Sequence, residues 1–222
     1  ANGSQNESYL FIADMHSVTQ IKNPKELKFN TYSTAACWLA FGLDYSKTVF
    51  YRQSDVPQVC ESTWLLSNIV NVGLLDRATS YKDKLAKGIT ANVGLYSYPI
   101  LMASDILLFG GEIVPVGKDQ KQHIEMTRDM AIRFNNIFGE VFIVPEADIE
   151  KDTPLVLGMD GQKMSKSYGN TIPIFGAEKD IRKKFMSIVT DSTEIDEPKD
   201  INTPLFQLYS LFLNDSDREE LS

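Results

Sequence analysis

The sequence predicts an α/β fold with a mostly parallel sheet, and three observations lead there. Short apolar runs of strand type alternate along the chain with longer segments of helical type. Helix-start and helix-stop residues fall between them at the right places. Polar residues cluster just after the strand-like runs, where open parallel sheets build their ligand sites.

The elements follow in order. Tyr9 to Ala13 reads as a buried strand. Asn23-Pro24-Lys25-Glu26 opens a helix, with Asn23 as cap, Pro24 at the first helical position and Glu26 in the capping-box position. That helix runs through the apolar residues from Ala35 to Phe41 and stops at Gly42. Thr48 to Tyr51 is a second strand, followed by one long helix from about Val56 to Val72. Gly94 to Phe109 is apolar almost all round and predicts a buried helix. Glu112 to Val116 is a third strand that turns at Gly117 into another helix. Ile124, Thr127, Ala131, Phe134 and Phe138 share one stripe of that helix, and Gly139 stops it. Val141 to Val144 reads as a fourth strand. Gly158 to Asn170 holds three glycines and predicts an exposed, mobile loop. From about Ala177 the pattern is purely helical and charged, so a first domain over 1–176 and the start of an all-helical domain over 177–222 are expected.

Composition narrows the class. The chain has 222 residues, 43% of them hydrophobic and 23% charged, which is ordinary for a globular protein. Lys and Arg number 22 against 30 Asp and Glu, a net charge of −8 that argues against a general nucleic-acid coat protein. A local basic patch facing one RNA stays compatible with it. The longest apolar stretches are too short to span a bilayer, and no membrane association is expected. The polar first residues lack the regions of a signal peptide. Cys37 and Cys60 are the only cysteines, so neither a zinc site nor a disulfide framework is expected, and the reading is a reducing cytoplasm. Asn6-Glu7-Ser8 and Asn214-Asp215-Ser216 match the short glycosylation pattern, for which chance is the better reading.

Three constellations carry chemistry. The strand ends bring together Asp14-Met15-His16, Arg52-Gln53-Ser54-Asp55 and Gly117-Lys118-Asp119-Gln120. These are either a ligand rim or merely caps and turns, and the pattern leaves both open. On the apolar helix, Tyr98, Met102 and Asp105 are spaced 4 and 3 and share a face. A carboxylate among Ile100, Leu101 and Ile106 needs a donor. That donor is either an internal partner or the N–H of a flat ligand such as an indole, walled by Tyr98 and Met102. The third constellation is Gly161-Gln162-Lys163-Met164-Ser165-Lys166-Ser167-Tyr168-Gly169-Asn170. Two lysines three apart in a glycine-flanked loop suit a triphosphate and its departing pyrophosphate. The spacing is not that of a Walker A loop.

Lys163-Met164-Ser165-Lys166-Ser167 resembles the KMSKS signature of class I aminoacyl-tRNA synthetases. Val114-Pro115-Val116-Gly117-Lys118-Asp119-Gln120-Lys121-Gln122-His123 is similar to a V-P-V-G-x-D-Q-x-Q-H segment of the bacterial tryptophanyl and tyrosyl enzymes. Tyr98 to Leu108 resembles the tryptophanyl version, since tyrosyl enzymes usually carry Gln in place of Met102. Ile12 to Thr19 resembles the tryptophanyl I-x-D-x-H-x-x-T. The matches run in order from Tyr9 to Asp191.

The resemblance implies a Rossmann-like parallel-sheet catalytic domain followed by the start of a helical anticodon-recognition domain. It implies that Asp105 accepts the indole N–H of L-tryptophan, and that Tyr98, Met102, Val114 and Val116 line its pocket beside His16 and Gln120. It implies that Gly117, Asp119 and Gln120 approach ATP. Lys163, Met164, Ser165, Lys166 and Ser167 would cover the phosphates, with Lys163, Ser165 and Lys166 as the catalytic group. ATP with Mg2+, tRNA(Trp) and a second copy of the chain are the implied partners, and no protein metal ligand is implied. One departure stands out. The class carries a second, HIGH-type signature, and neither His16 nor His123 fits it. The expectation is a chain that begins after that signature and stops within the helical domain. A tyrosyl enzyme on the same fold and a non-catalytic binding fragment are the rival readings.

Overall fold

The computed structural model describes residues 7–149, 156–214, 216 and 217, apart from 87, 89, 166, 167, 191–193, 195, 196, 198 and 199. It divides into two compact units, residues 1–151 and 152–222.

In the first unit, β1 (Ser8–Ile12) leads through the short α1 (Asp14–Ser17) and α2 (Pro24–Ala40) to β2 (Thr48–Arg52). The two strands pair in parallel, with Ile12 opposite Arg52. Helix α2 starts as expected: the Asn23 side chain accepts from the backbone N–H of Lys25 and Glu26, and Pro24 occupies the first turn. It ends at Ala40, two residues before Gly42, whose φ is +90°.

The expected long helix after β2 is two helices, α3 (Gln58–Ser67) and α4 (Val72–Asp76). The helix α3 ends at Asn68, whose side-chain amide bonds back to the Trp64 carbonyl. This local competition with the backbone is what an asparagine does inside a helical pattern. The short α5 (Thr79–Ala86) follows.

The apolar helix is α6 (Val93–Leu107), capped by the Asn92 side chain on Leu95 N–H. It is not buried all round, since Val93 and Leu108 are exposed. Its inward side, from Leu95 through Pro99, Ile100, Ala103, Ser104 and Asp105 to Leu107, is buried. There it packs against α3 and against α7 (Lys121–Phe138), with Leu66, Ile100, Ala103, Leu107, Met126, Met130 and Ala131 in one core. Each buried Leu, Ile or Met side chain stabilises the fold by about 1.5–3 kcal/mol.

A second parallel pair joins β3 (Ile113–Val116) to β4 (Glu146–Ile149). The sheet is thus parallel, as expected, but formed as two separate pairs among the described residues. Two expectations need correction here. The stripe of α7 is buried at Ile124, Thr127 and Ala131 and half-buried at Phe134, while Phe138 is exposed. Phe138 lies beside Gly139, whose φ of +94° ends the helix. Residues 141–144 do not form the fourth strand, which begins after Pro145. The Asn135 side chain takes the N–H groups of Val141 and Phe142 and donates to the Phe142 carbonyl, and Arg128 donates to the Pro145 carbonyl. Those bonds take both N–H groups and one carbonyl at the start of this apolar run, which are then not offered to a ladder.

The second unit contains α8 (Glu178–Phe185) and α9 (Pro204–Ser210). Acidic residues open α8 and Arg182, Lys183 and Lys184 close it, matching its dipole. Residues 190, 194, 197 and 200 between the two helices are not helical, so the purely helical expectation is corrected. No helix among the described residues is long and apolar enough to cross a membrane.

Candidate active site

Parallel register builds the first part of the site. Because Ile12 lies opposite Arg52, the residues following each strand meet. After β1 comes α1, and after β2 comes a 3-10 turn at Gln53–Asp55. Asp14 accepts from Ser54 N–H at 3.0 Å and from the Ser54 hydroxyl at 2.6 Å. The Arg52 guanidinium lies 3.8 Å from Asp14 and also holds Asp55. Gln53 is fully buried, and its side-chain Oε1 accepts from the N–H groups of Met15 at 3.1 Å and His16 at 3.3 Å. These are orphan donors at the start of a helix, so Gln53 caps α1 from the turn that follows β2.

Helix α6 supplies the second part. Asp105 is 6% exposed. The Gln53 amide nitrogen donates to both its oxygens, each at 2.9 Å. His16 Nε2 lies 2.8 Å from Asp105 Oδ2, within hydrogen-bond distance. The buried carboxylate therefore has internal partners, which answers one of the two readings left open by the sequence. It does not exclude the other. A carboxylate offers about four acceptor positions, and among the described residues Oδ2 has two partners and Oδ1 one, so Oδ1 keeps capacity for one further donor.

The Tyr98 ring lies 4.2 Å from the His16 ring, centre to centre, and 6.0 Å from His123. Burial, and then the Asp105 carboxylate, push the Tyr98 hydroxyl above its ordinary range. Tyr51 is pushed up by the same two causes, with Tyr9 contributing last. Tyr98 and Met15 also line a cavity of about 320 Å³ with Val18, Thr19, Asn92 and Leu101. Met102 is half-buried on the same helix, one turn from Tyr98.

The sequence-predicted residues thus fall into groups. His16, Tyr98 and Asp105 are in direct contact. Val114 and Val116 are half-buried on one face of β3, with Ile113 and Pro115 on the other. Gly117 leads into a 3-10 turn, Lys118–Gln120, where the Gln120 amide donates to Asp119 at 2.9 Å. A Cβ at Gly117 would come within 2.8 Å of Asp119 Oδ1, so a larger residue here would require the exposed Asp119 side chain to shift. Gln53 was visible in the sequence only as one of several polar residues at a strand end. Its full burial is the signal that separates it from a turn residue, and burial is tertiary.

In the second unit, the signature loop is bridged at its base by Leu157 and Lys163. Lys163 is exposed and Met164 and Ser165 are half-buried. Lys166 and Ser167 lie outside the described residues. The loop is only partly exposed: Asp160, Gln162, Lys163, Tyr168 and Gly169 face solvent, while Gly158 is buried and Asn170, which is 3% exposed, anchors it.

The family of tRNA synthetases class I (W and Y) matches residues 3–219. The tryptophan–tRNA ligase of Fusobacterium nucleatum is 53% identical over 97% of this chain and 66% of its own length. That of Campylobacter jejuni is 50% identical over 98% of this chain and 68% of its own length. The crystal structure of the Campylobacter jejuni tryptophanyl-tRNA synthetase complexed with ADP and tryptophan superimposes with a TM-score of 0.87, at 52% identity, covering 95% of this chain and 66% of that one. The chain therefore spans about two thirds of the length of these relatives. The fold, the order of its motifs and these likenesses together show that the chain belongs to the tryptophan–tRNA ligase family of class I tRNA synthetases.

Proposed function

We propose that the protein carrying this chain activates L-tryptophan with ATP and transfers it to tRNA(Trp). The tryptophan carboxylate attacks the α-phosphate of ATP, forming tryptophanyl-adenylate and releasing pyrophosphate. The acyl group then passes to the terminal adenosine of tRNA and AMP leaves. No covalent enzyme intermediate is needed, so positioning and charge stabilisation do the work.

The observation that carries this reading is the buried Asp105, held by Gln53 and His16 with acceptor capacity left on Oδ1. A carboxylate fixed in this way accepts an indole N–H and offers nothing to a ligand lacking a donor there. Tyr98, Met102, Val114 and Val116 wall the ring, and His16 and Gln120 face the amino acid. Gly117, Asp119 and Gln120 approach the adenosine. Lys163, Met164, Ser165, Lys166 and Ser167 cover the phosphates, and Lys163 and Lys166 offset the charge that builds on them. Among the described residues no group of three His, Cys, Asp or Glu side chains could hold a metal. Mg2+ enters as part of the ATP substrate, held largely by the phosphates. The catalytic domain extends over 1–176, with the first helices of the anticodon domain in 177–222. The protein works as a homodimer in the cytoplasm.

A thermal-shift comparison with tryptophan, tyrosine and ATP tests the reading. Tryptophan should raise the melting temperature and tyrosine should not, because ligands bound only by the folded state stabilise it. A rise with tyrosine in place of tryptophan would move the assignment to the tyrosyl branch.

A further inference from the structure

We propose that Asn170 is the positioning residue of the signature loop, with Gly158 as the space that admits it. The proposal rests on the ATP role given above to Lys163–Ser167. Asn170 sits just beyond that segment, and its side-chain bonds to the described residues reach back across it. Its amide nitrogen donates to Asp160 Oδ1 at 2.8 Å and to the Lys163 carbonyl at 3.1 Å. Its amide oxygen accepts from Ser165 N–H at 2.8 Å. Its own backbone carbonyl accepts from Met159 N–H at 3.1 Å. One buried side chain therefore fixes the backbone on both sides of Met164, while the Lys163 side chain is left at the surface.

Gly158 completes the device. A Cβ at this position would lie 2.3 Å from Asn170 Nδ2 and 2.8 Å from its Cβ, closer than real contacts allow. The glycine is also buried, so an added methyl has no solvent to turn towards. Asp160 responds to the arrangement: its carboxyl is held below the usual range, first by the Asn170 amide and then by Gln162 N–H. An asparagine is specifically required. Aspartate would turn both donated bonds into oxygen–oxygen contacts, and leucine would remove both the acceptor that Asn170 offers to Ser165 N–H and the donor it offers to the Lys163 carbonyl. A backbone fixed at Lys163 and Ser165 sets the start of the loop before ATP arrives, so less ordering remains to be done on binding.

The test uses the full-length protein with Asn170→Ala, Gly158→Ala and the double variant. Three quantities are measured: amide hydrogen exchange at Ser165, ATP affinity by calorimetry, and tryptophan-dependent ATP–pyrophosphate exchange. Asn170→Ala should speed exchange at Ser165 by about tenfold or more while other core amides stay protected. It should weaken ATP binding or lower kcat by roughly ten- to a hundredfold, with the KM for tryptophan within about twofold of wild type. Gly158→Ala should reproduce the defect and add less than its full effect once Asn170 is alanine, because the clash with the amide is gone while the 2.8 Å approach to the remaining Cβ persists. Unchanged Ser165 exchange in a folded Asn170→Ala variant would overturn the proposal. So would faster exchange with ATP affinity and kcat both intact. A wild type that lacks tryptophan-dependent exchange would overturn the functional reading instead, and the hydrogen exchange and ATP affinity would still decide the role of Asn170.

Discussion

Gln53 and Asp105 meet across 52 residues of sequence, with one amide nitrogen 2.9 Å from each carboxylate oxygen. The other end of the same amide caps α1 at Met15 and His16. Three elements that carry the proposed tryptophan site, α1, the end of β2 and α6, are thereby tied by a single buried side chain. Any disturbance of Gln53 should reach both His16 and Asp105.

Gln53→Leu should therefore cost about 2–4 kcal/mol, because it orphans two backbone donors and removes two bonds to a buried carboxylate. Gln53→Glu keeps the carbonyl end but sets one carboxyl against another. Its deficit in melting temperature should shrink as pH falls and a shared proton relieves the repulsion. A pH-independent deficit would show that the repulsion is not its cause.

Asp105→Ala should weaken tryptophan binding about a hundredfold while changing ATP affinity far less, as read by titration calorimetry. Equal losses for both ligands would assign Asp105 a structural role only.

Tyr98 and Tyr51 hold their protons more tightly in the folded protein than the ordinary value of 10.0 allows. The sign follows from linkage: stability is fully present below pH 10.0 and falls as pH rises from there towards the raised values. Urea midpoints measured between about pH 9 and 11 should fall for wild type. They should fall less steeply for Tyr98→Phe and for Tyr51→Phe, and an unaltered slope in both would remove the effect.

Asn135 bonds three backbone groups of Val141 and Phe142. Asn135→Ala should lower the denaturation midpoint by an amount worth about 1–2 kcal/mol, with the slope of the transition unchanged.

Leu107 is 3% exposed in the core between α6 and its neighbours. Leu107→Ala should cost about 2–5 kcal/mol, and Leu107→Asp should abolish the folded circular-dichroism spectrum.

Much of the fold was legible because its signals are local. Asn23-Pro24 starts a helix by satisfying N–H groups two and three residues away. Gly139 stops one by adopting a positive φ. What failed depended on which backbone groups side chains take, and apolar periodicity does not record that. The run from Val141 to Val144 looks like a strand, but side chains of Asn135 and Arg128 from the preceding helix hold the backbone around it. The region from Val56 to Val72 has helical spacing throughout, yet it forms two helices.

The sequence by itself determined the α/β class, the helix boundaries at Asn23 and Gly139, and the family, whose motifs are contiguous runs readable in one dimension. It also placed Asp105 on one face with Tyr98, since helical spacing is a local property. Only the tertiary structure decided who satisfies that carboxylate. Parallel pairing of β1 with β2 brings Gln53 to α1, and the packing of α6 brings Asp105 to both. Hydrogen bonds between residues so far apart leave no periodic trace, because their energy depends on distances that only the folded chain defines.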